Sequence, residues 1–308
     1  MQTILGAGGS IGTELAKELL AFTKDIRLVG RNPKKVNATD QLFSADLTDA
    51  IQIDKAIEGS EVCYVTVGFE YKLSVWQKNW LLFIKHVIDA CEKHRCRLVF
   101  FDNIYALNET DLNPILENAP LNPSSQKGQV RAAVNRVILK AIDEKRIDAI
   151  IARAPDFFGP EKIQNSMLMN VVYTNFQKNK SAQWLCNANL PHSMGYTPEL
   201  AKGTALLGNT VDAYNQIWNL PVCSEAPTGK EWASLFAKEM QVKNKISTLP
   251  AWMLKVLGIF IPFMGELYEM KYQYDRPYIF DSSKFNKRFS YKPMSNEAAV
   301  KELLKNLK

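Results

Sequence analysis

Histidine and cysteine, the residues that most often hold zinc, are scarce in this chain of 308 residues. It contains 3 histidines and 5 cysteines, and no two cysteines have the short spacing of a zinc site. His86 and His94 have no acidic or cysteine partner pattern around them, so we expect no metal site. The odd number of cysteines favours reduced thiols over a disulfide framework. We therefore expect a cytoplasmic protein, without a signal peptide because the sequence starts directly in an apolar strand.

Strong charge of one sign and long apolar runs are also missing. The formal net charge is +6, and no basic stripe of the kind that binds nucleic acid is present. The segment from Pro250 to Met264 is strongly apolar, but Lys255, Gly258 and Pro262 interrupt it. It is too short to span a bilayer, and we expect an amphipathic helix packed on the protein. We therefore expect neither nucleic acid nor a membrane as a partner.

Short apolar runs alternate with helical patterns through the first two-thirds of the chain. The predicted strands are residues 3–5, 26–29, 42–45, 62–67, 98–101, 149–152 and 216–219. The predicted helices between them are residues 11–22, 51–57, 76–94, 128–145 and 198–207. Such alternation predicts βαβ units, and right-handed crossovers then give an α/β fold with a doubly wound parallel sheet.

The pattern changes near Pro221, after which helices predominate at residues 229–240, 251–260 and 296–307. This tail and the region after Gly159 are interpreted as a smaller, mostly helical lobe that covers a substrate. The predicted domains are a dinucleotide-binding domain of residues 1–160 and 185–221, and a substrate lobe of residues 161–184 and 222–308.

A glycine-rich loop follows the first strand and opens the first helix. Gly6 permits a tight turn, Gly9 lets the backbone approach a pyrophosphate, and Gly12 lets the helix pack closely on the sheet. The helix N-terminus, with Ser10 and Ile11, offers free N–H groups and partial positive charge to phosphates. The loop therefore predicts a Rossmann-type dinucleotide site.

The second strand ends at a basic residue. NAD sites usually have a carboxylate at this position to bind the ribose hydroxyls, whereas an arginine accommodates a 2′-phosphate. Arg31 occupies it, with Lys34 and Lys35 nearby, and a guanidinium is suited to a phosphate. The predicted cofactor is NADP(H), with NAD as the alternative.

These motifs resemble the short-chain dehydrogenase/reductase superfamily, in its NAD-dependent epimerase/dehydratase branch, over nearly the whole chain. The glycine spacing and the segment from Arg153 to Pro160 are the most specific matches, the latter being similar to the family segment that closes over the nicotinamide. The resemblance implies further cofactor contacts, which are Asp46 and Leu47 beside the adenine, Val67 and Gly68 after the fourth strand, Pro155 and Phe157 near the nicotinamide, and Arg131.

One departure concerns the family's acid/base pair, Tyr-x-x-x-Lys on a helix, in which the lysine lowers the pKa of the tyrosine. Alignment on Arg153 puts Lys127 at the tyrosine position and Arg131 at the lysine position. No tyrosine lies in this helix. The strand that delivers a serine in the family ends instead at Phe101 and Asp102, and Asp102 is a candidate for a catalytic carboxylate or a strand-end cap.

Three interpretations stay open at the reaction centre. In the first, Lys127 donates the proton while Arg131, one turn away, holds the ribose and lowers the pKa of the lysine. In the second, Tyr105, Tyr196 or His192 reaches the site from another element. In the third, nothing replaces the pair and the protein binds NADP(H) without turnover.

The resulting hypothesis is an NADP-dependent oxidoreductase or nucleotide-sugar-epimerase-like enzyme that acts on a carbonyl or carbinol. His192 and Tyr196 are the predicted substrate contacts, and Lys127, Tyr105 and Asp102 are the predicted catalytic residues. The alternative is a non-catalytic NADP(H)-binding protein with a sensor or interaction role. The expected partner is a small-molecule substrate, and the family resemblance implies a homodimer formed through the helices at residues 76–94 and 128–145.

Overall fold

The computed structural model describes residues 1–307, and its central feature is a sheet of seven parallel strands. The strands of the chain are Gln2–Leu5 (β1), Ile26–Gly30 (β2), Gln41–Ser44 (β3), Val62–Val65 (β4), Arg97–Asp102 (β5), Ala149–Arg153 (β6), Phe157–Phe158 (β7), Ala182–Leu185 (β8), Gly195–Tyr196 (β9), Gln216–Asn219 (β10) and Ile246–Leu249 (β11). The sheet order is β10-β6-β5-β4-β1-β2-β3. The order reverses between β1 and β4, and the crevice at the carboxyl ends there is where such sheets bind ligands.

Helices cover both faces of this sheet. They are Ser10–Leu19 (α1), Ala50–Ile57 (α2), Leu73–His94 (α3), Gln126–Asp143 (α4), Thr174–Gln177 (α5), Thr197–Gly208 (α6), Gly229–Met240 (α7), Ala251–Phe260 (α8), Pro262–Glu269 (α9), Ser283–Phe289 (α10) and Asn296–Asn306 (α11). α1 and α6 pack on one face, and α2, α3 and α4 pack on the other. This arrangement confirms the predicted α/β fold with a doubly wound parallel sheet.

The seven predicted sheet strands are present, and most are short runs of buried side chains, whereas β3 at the edge of the sheet has no buried residue. β4 and β6 are buried at every position, as expected of strands covered on both faces. Helix boundaries differ by a few residues. α3 begins at Leu73 rather than at residue 76, because its first buried side chain is Trp76 and the turn before it shows no apolar periodicity.

A third cluster of buried side chains lies apart from the two cores that flank the sheet. It joins Phe158 of β7 to residues of α7 and α11, among them Trp232 and Leu303. β8 pairs with β11 in a separate two-stranded sheet. The short elements here, β7 to β9, α5 and α9, have too few residues to show a periodic pattern in the sequence.

The apolar segment near residue 255 forms two short helices, α8 and α9. Leu254 is the buried residue of α8, and α9 has none. The predicted helix at residues 251–260 is present, but four of its eight apolar side chains are exposed instead of packed on the protein. Within residues 1–307, no helix has the length and apolar character needed to cross a membrane.

Candidate functional site

The glycine loop lies against the end of β4, and its glycines are required by close contacts. Gly6 has φ +91°, and a Cβ on it would lie 2.8 Å from the backbone nitrogen of Val67. A Cβ on Gly12 would lie 2.6 Å from the carbonyl oxygen of Gly6. A Cβ on Gly8 would meet nothing within 4 Å, so the outer side of the loop is open. The loop is thus pressed on the sheet and free on its other side.

The N-terminus of α1 has unused hydrogen-bonding capacity. Gly9 is its N-cap, no side chain caps it, and its first turn contains no acidic residue. Ser10 and Ile11 are buried there, and Nδ2 of Asn165 lies 3.5 Å from Oγ of Ser10. Free N–H groups at a helix start bind phosphate oxygens, so these residues fit the pyrophosphate of a dinucleotide.

The end of β2 carries the predicted ribose contact. Arg31 is exposed, and its carbonyl oxygen accepts a hydrogen bond from Oγ of Ser44 at 2.8 Å. Asp46 is also exposed, and hydrogen bonds from Thr48, followed by the charge of Arg31, lower the pKa of its carboxyl. Leu47 is half-buried beside it. Arg31 is therefore exposed after the carboxyl end of β2, the position at which the sequence predicts a contact to an adenosine 2′-phosphate.

The other predicted cofactor contacts follow the carboxyl ends of β4 and β6. Val67 is half-buried and Gly68 is exposed after β4. Pro155 is buried, whereas Phe157 is half-buried and accepts a hydrogen bond from Oγ of Ser166 at its carbonyl oxygen, at 2.7 Å. The glycine loop, the end of β4 and the segment after β6 thus all lie at the carboxyl edge of the parallel sheet.

Lys127, the residue at the family's tyrosine position, is fully buried in the first turn of α4. Its Nζ pairs with the carboxylates of Glu266 and Glu269 in α9, the latter at 2.6 Å. The ring of Tyr71 lies 5.0 Å from this Nζ. The charge of Lys127 is thus neutralised by two carboxylates, a pairing that the sequence did not indicate because α9 is distant along the chain.

Arg131, one turn further along α4, is buried against β5. Its Nε donates to Oδ1 of Asp102 at 2.9 Å, and Nδ2 of Asn135 donates to the other carboxylate oxygen at 2.6 Å. The guanidinium lies 4.1 Å from the ring centre of Trp80. Asp102 is therefore enclosed by donors, and this network fastens α4 to the end of β5.

Tyr105 follows β5 and packs beside the first turn of α4. A Cβ on Gly128 would lie 2.5 Å from the carbonyl oxygen of Tyr105, so glycine permits this approach. The phenol ring stacks on Trp76 with ring centres 6.0 Å apart. Burial and the charge of Asp156 raise the pKa of Tyr105 to about 12, and hydrogen bonds from Tyr71 and Gln273 oppose that shift. The backbone of Tyr105 therefore lies against the first turn of α4, while its hydroxyl is hydrogen-bonded with Tyr71 and Gln273.

His192 lies between two tyrosine rings and faces a carboxylate. Its ring centre is 4.8 Å from that of Tyr274 and 4.3 Å from that of Tyr278. Its Nε2 lies 3.1 Å from Oδ2 of Asp156, which also accepts a hydrogen bond from the Tyr274 hydroxyl at 2.7 Å. The sequence singled out His192 but not Asp156, although Asp156 lies within the Arg153–Pro160 match and could have been chosen for its charge.

Tyr196, the other predicted substrate contact, lies in a different environment. Its ring packs on Phe158 with centres 5.5 Å apart, and its hydroxyl donates to Oε1 of Glu302 at 3.2 Å. The structure thus brings Tyr105, Asp156 and His192 towards one region, while Tyr196 belongs to the third core. Within residues 1–307, no cluster of three His, Cys, Asp or Glu side chains could hold a metal ion.

Comparison with known proteins identifies what this arrangement is similar to. The sequence profile of the NAD dependent epimerase/dehydratase family matches residues 3–220. The UDP-glucose 4-epimerase of Thermus thermophilus, solved with NAD, superimposes with a TM-score of 0.78 at 15% identity over 100% of this chain and 99% of that one. No match was found among curated protein sequences.

Two further solved structures share the fold at similarly low identity. The dTDP-glucose 4,6-dehydratase of Streptomyces venezuelae, with NAD bound, gives a TM-score of 0.79 at 15% identity, over 99% of this chain and 96% of that one. The UDP-N-acetylglucosamine 4-epimerase of Methanobrevibacter ruminantium, in complex with UDP-N-acetylmuramic acid, gives 0.79 at 16% identity, with the same coverages of 99% and 96%.

Proposed function

The chain belongs to the NAD-dependent epimerase/dehydratase family, and we propose that it is an NADP(H)-dependent oxidoreductase that acts on a carbonyl or carbinol, with Tyr105 as its acid/base. The proposal has two parts, the identity of the cofactor and the identity of the proton donor. They rest on different residues and are tested separately.

The preference for NADP(H) rests on Arg31. The relatives named above that were solved with a cofactor contain NAD, whereas here the end of β2 carries an exposed arginine. A guanidinium forms charge-assisted hydrogen bonds to a phosphate, and it offers less to a pair of ribose hydroxyls than a carboxylate does. Lys34 and Lys35, both exposed, add positive charge close by.

The observation that carries the assignment of the acid/base is that the two other predicted catalytic residues are already paired with charged partners. Lys127 and Asp102 are both occupied, the lysine by Glu266 and Glu269 and the aspartate by Arg131 and Asn135. In this proposal they hold α9 and α4 in place. The hydroxyl of Tyr105 is the remaining proton donor among the three predicted catalytic residues.

The chemistry of Tyr105 follows from its surroundings. A bound nicotinamide dinucleotide supplies or accepts the hydride. During reduction Tyr105 donates its proton to the carbonyl oxygen, and hydrogen bonds from Tyr71 and Gln273 stabilise the phenolate that remains. With its pKa raised to about 12, Tyr105 is protonated at neutral pH and is a weaker acid than a free tyrosine, but it can still donate its proton to the alkoxide that develops, because the product alcohol is a weaker acid still. Asp156 and His192 then bind hydroxyl groups of the substrate.

The test is a panel of aldehydes, ketones and nucleotide-sugars, with NADPH consumption as the readout. Tyr105→Phe should lower kcat by roughly 10²- to 10⁴-fold, the usual contribution of general acid catalysis, and leave NADPH binding intact. Tyr291→Phe is the matched control, because Tyr291 bonds to Glu199 outside the site. If turnover were unchanged in Tyr105→Phe but lost in Lys127→Met, Lys127 and not Tyr105 would be the acid/base.

A non-catalytic NADP(H)-binding protein is the second candidate. It is favoured by the burial and pairing of both residues at the family's acid/base positions, Lys127 and Arg131. NADPH binding without consumption across the whole panel would support this candidate. Absence of NADPH and NADH binding would exclude both candidates.

A further inference from the structure

The helices α8 and α9 form a hairpin whose two arms pack closely on each other. A Cβ on Gly258 would lie 2.8 Å from Cα of Gly265, so glycine at position 258 permits the contact. Pro262 starts α9 immediately after the turn. The inner side of α9 faces the body of the protein, where Glu266 and Glu269 pair with Lys127. The hairpin is thus anchored on one side.

The outer side of the hairpin exposes large apolar side chains. Three of them, Trp252, Val256 and Ile259, share one face of α8 because they are spaced by four and three residues. We call the following residues the hairpin surface, with their exposed fractions: Trp252 (66%), Val256 (48%), Ile259 (76%), Phe260 (78%), Ile261 (45%) and Phe263 (50%). Exposed apolar patches of this kind mark interaction sites.

The charges in the part of the sequence that contains the hairpin surface have one sign. From residue 241 to residue 265 the sequence contains no aspartate or glutamate, but it contains Lys243, Lys245 and Lys255. All three lysines are exposed, and within residues 1–307 none of them forms an ion pair. The nearest acidic side chains of α9 face inward to Lys127. An apolar surface whose neighbouring lysines in the sequence are unpaired is complementary to an anionic lipid bilayer, in which an apolar layer lies beneath negatively charged headgroups.

We propose that the hairpin surface docks this protein onto an anionic lipid bilayer. Tryptophan and phenylalanine insert at the boundary between headgroups and acyl chains, while lysines contact anionic headgroups. With ten and eight residues, α8 and α9 are too short to span the hydrocarbon layer, so they lie in the interface. This proposal replaces our expectation, drawn from the sequence, that a membrane is not a partner, and it is independent of the proposed enzymatic function.

The experiment is co-sedimentation of the full chain with lipid vesicles. Vesicles of phosphatidylcholine mixed with phosphatidylglycerol should bind the protein, and vesicles of phosphatidylcholine alone should bind it at least tenfold more weakly. The double variant Ile259→Ser/Phe260→Ser should lose binding, and Lys255→Glu should weaken it. Val211→Ser is the matched control, since Val211 is an equally exposed apolar residue at 77% that lies outside the hairpin.

Two results would overturn the proposal. One is that neither type of vesicle binds the wild-type chain. The other is that the double variant binds as well as the wild type. Sedimentation velocity of the same proteins tests the competing occupant, because a dimer abolished by the double substitution, without vesicle binding, would show that a second copy covers the hairpin surface. The substituted side chains are exposed, and NADPH binding and circular dichroism verify that the variants are folded.

Discussion

Two basic residues of α4, one turn apart, are both buried and both paired with carboxylates. For Arg131 the partner is Asp102, which is 1% exposed and bonded also to Asn135. A carboxylate in such surroundings depends on its donors, because transfer of an unpaired charge out of water is costly. We therefore assign the Arg131–Asp102 pair a role in the stability of the fold and not in catalysis.

Arg131→Met should destabilise the fold by about 3–5 kcal/mol, since it leaves Asp102 buried without its main partner. The double variant Arg131→Met/Asp102→Asn should recover part of this loss, because the isolated charge is then removed. Urea unfolding of the three proteins measures both values. If Arg131→Met were as stable as the wild type, the carboxylate of Asp102 would not depend on Arg131, and this account of the pair would be contradicted.

The glycine loop allows a sharp comparison between neighbouring glycines. Gly12→Ala places a methyl group 2.6 Å from a carbonyl oxygen of the same loop, which must then move. We expect NADPH affinity to fall at least about tenfold, equivalent to about 1.4 kcal/mol. Gly8→Ala is the matched control, because nothing lies within 4 Å of its added methyl group. Equal NADPH dissociation constants for both variants in a fluorescence titration would contradict this account of the loop.

At the scale of elements, α9 is joined to α4 because the carboxylates of Glu266 and Glu269 pair with Lys127. Removal of both charges in Glu266→Gln/Glu269→Gln leaves a buried lysine unpaired, which favours the detachment of α9. Amide hydrogen exchange in residues 262–269 should become faster. Glu144→Gln, which breaks an exposed pair with Lys140, should change nothing measurable. Equal exchange in wild type and double variant would show that other contacts hold α9.

The elements also show what the sequence could predict. The seven sheet strands and the glycine loop were predicted correctly, because short apolar runs, buried on both faces in β4 and β6, and a fixed glycine spacing are local patterns. The pairing of Lys127 with α9 could not be predicted, since it joins residues that are 139 and 142 positions apart. The meeting of Asp156, His192 and Tyr274 depends on tertiary packing in the same way. The exposure of α8 was missed because an apolar run by itself suggests burial.

For the molecule as a whole, burial raises the pKa of tyrosines in several elements. Tyr64 in β4, Tyr278 and Tyr105 are examples, the last with a pKa of about 12 against an ordinary value of 10.0. The folded chain thus holds these protons more tightly than the unfolded chain. This stabilisation is fully present below pH 10, and it is lost as the pH rises through the folded-state values.

Urea unfolding at about pH 8 and about pH 11 measures this effect, with an expected loss of about 1.4 kcal/mol per pH unit for each such tyrosine above pH 10. Stability that does not change over this interval would mean that these hydroxyls titrate as in the unfolded chain. The division into a domain of residues 1–160 and 185–221 and a lobe of the remaining residues stays a prediction, as does the homodimer.

The most direct test of the central claim, an NADP(H) site built from the glycine loop and Arg31, is a pair of fluorescence titrations with NADPH and NADH. The wild-type chain should bind NADPH at least about tenfold more tightly, because one charge-assisted contact to the 2′-phosphate contributes 1.4 kcal/mol or more. Arg31→Ala should remove this preference and leave NADH affinity unchanged. Tighter binding of NADH by the wild type, or no binding of either dinucleotide, would contradict the account.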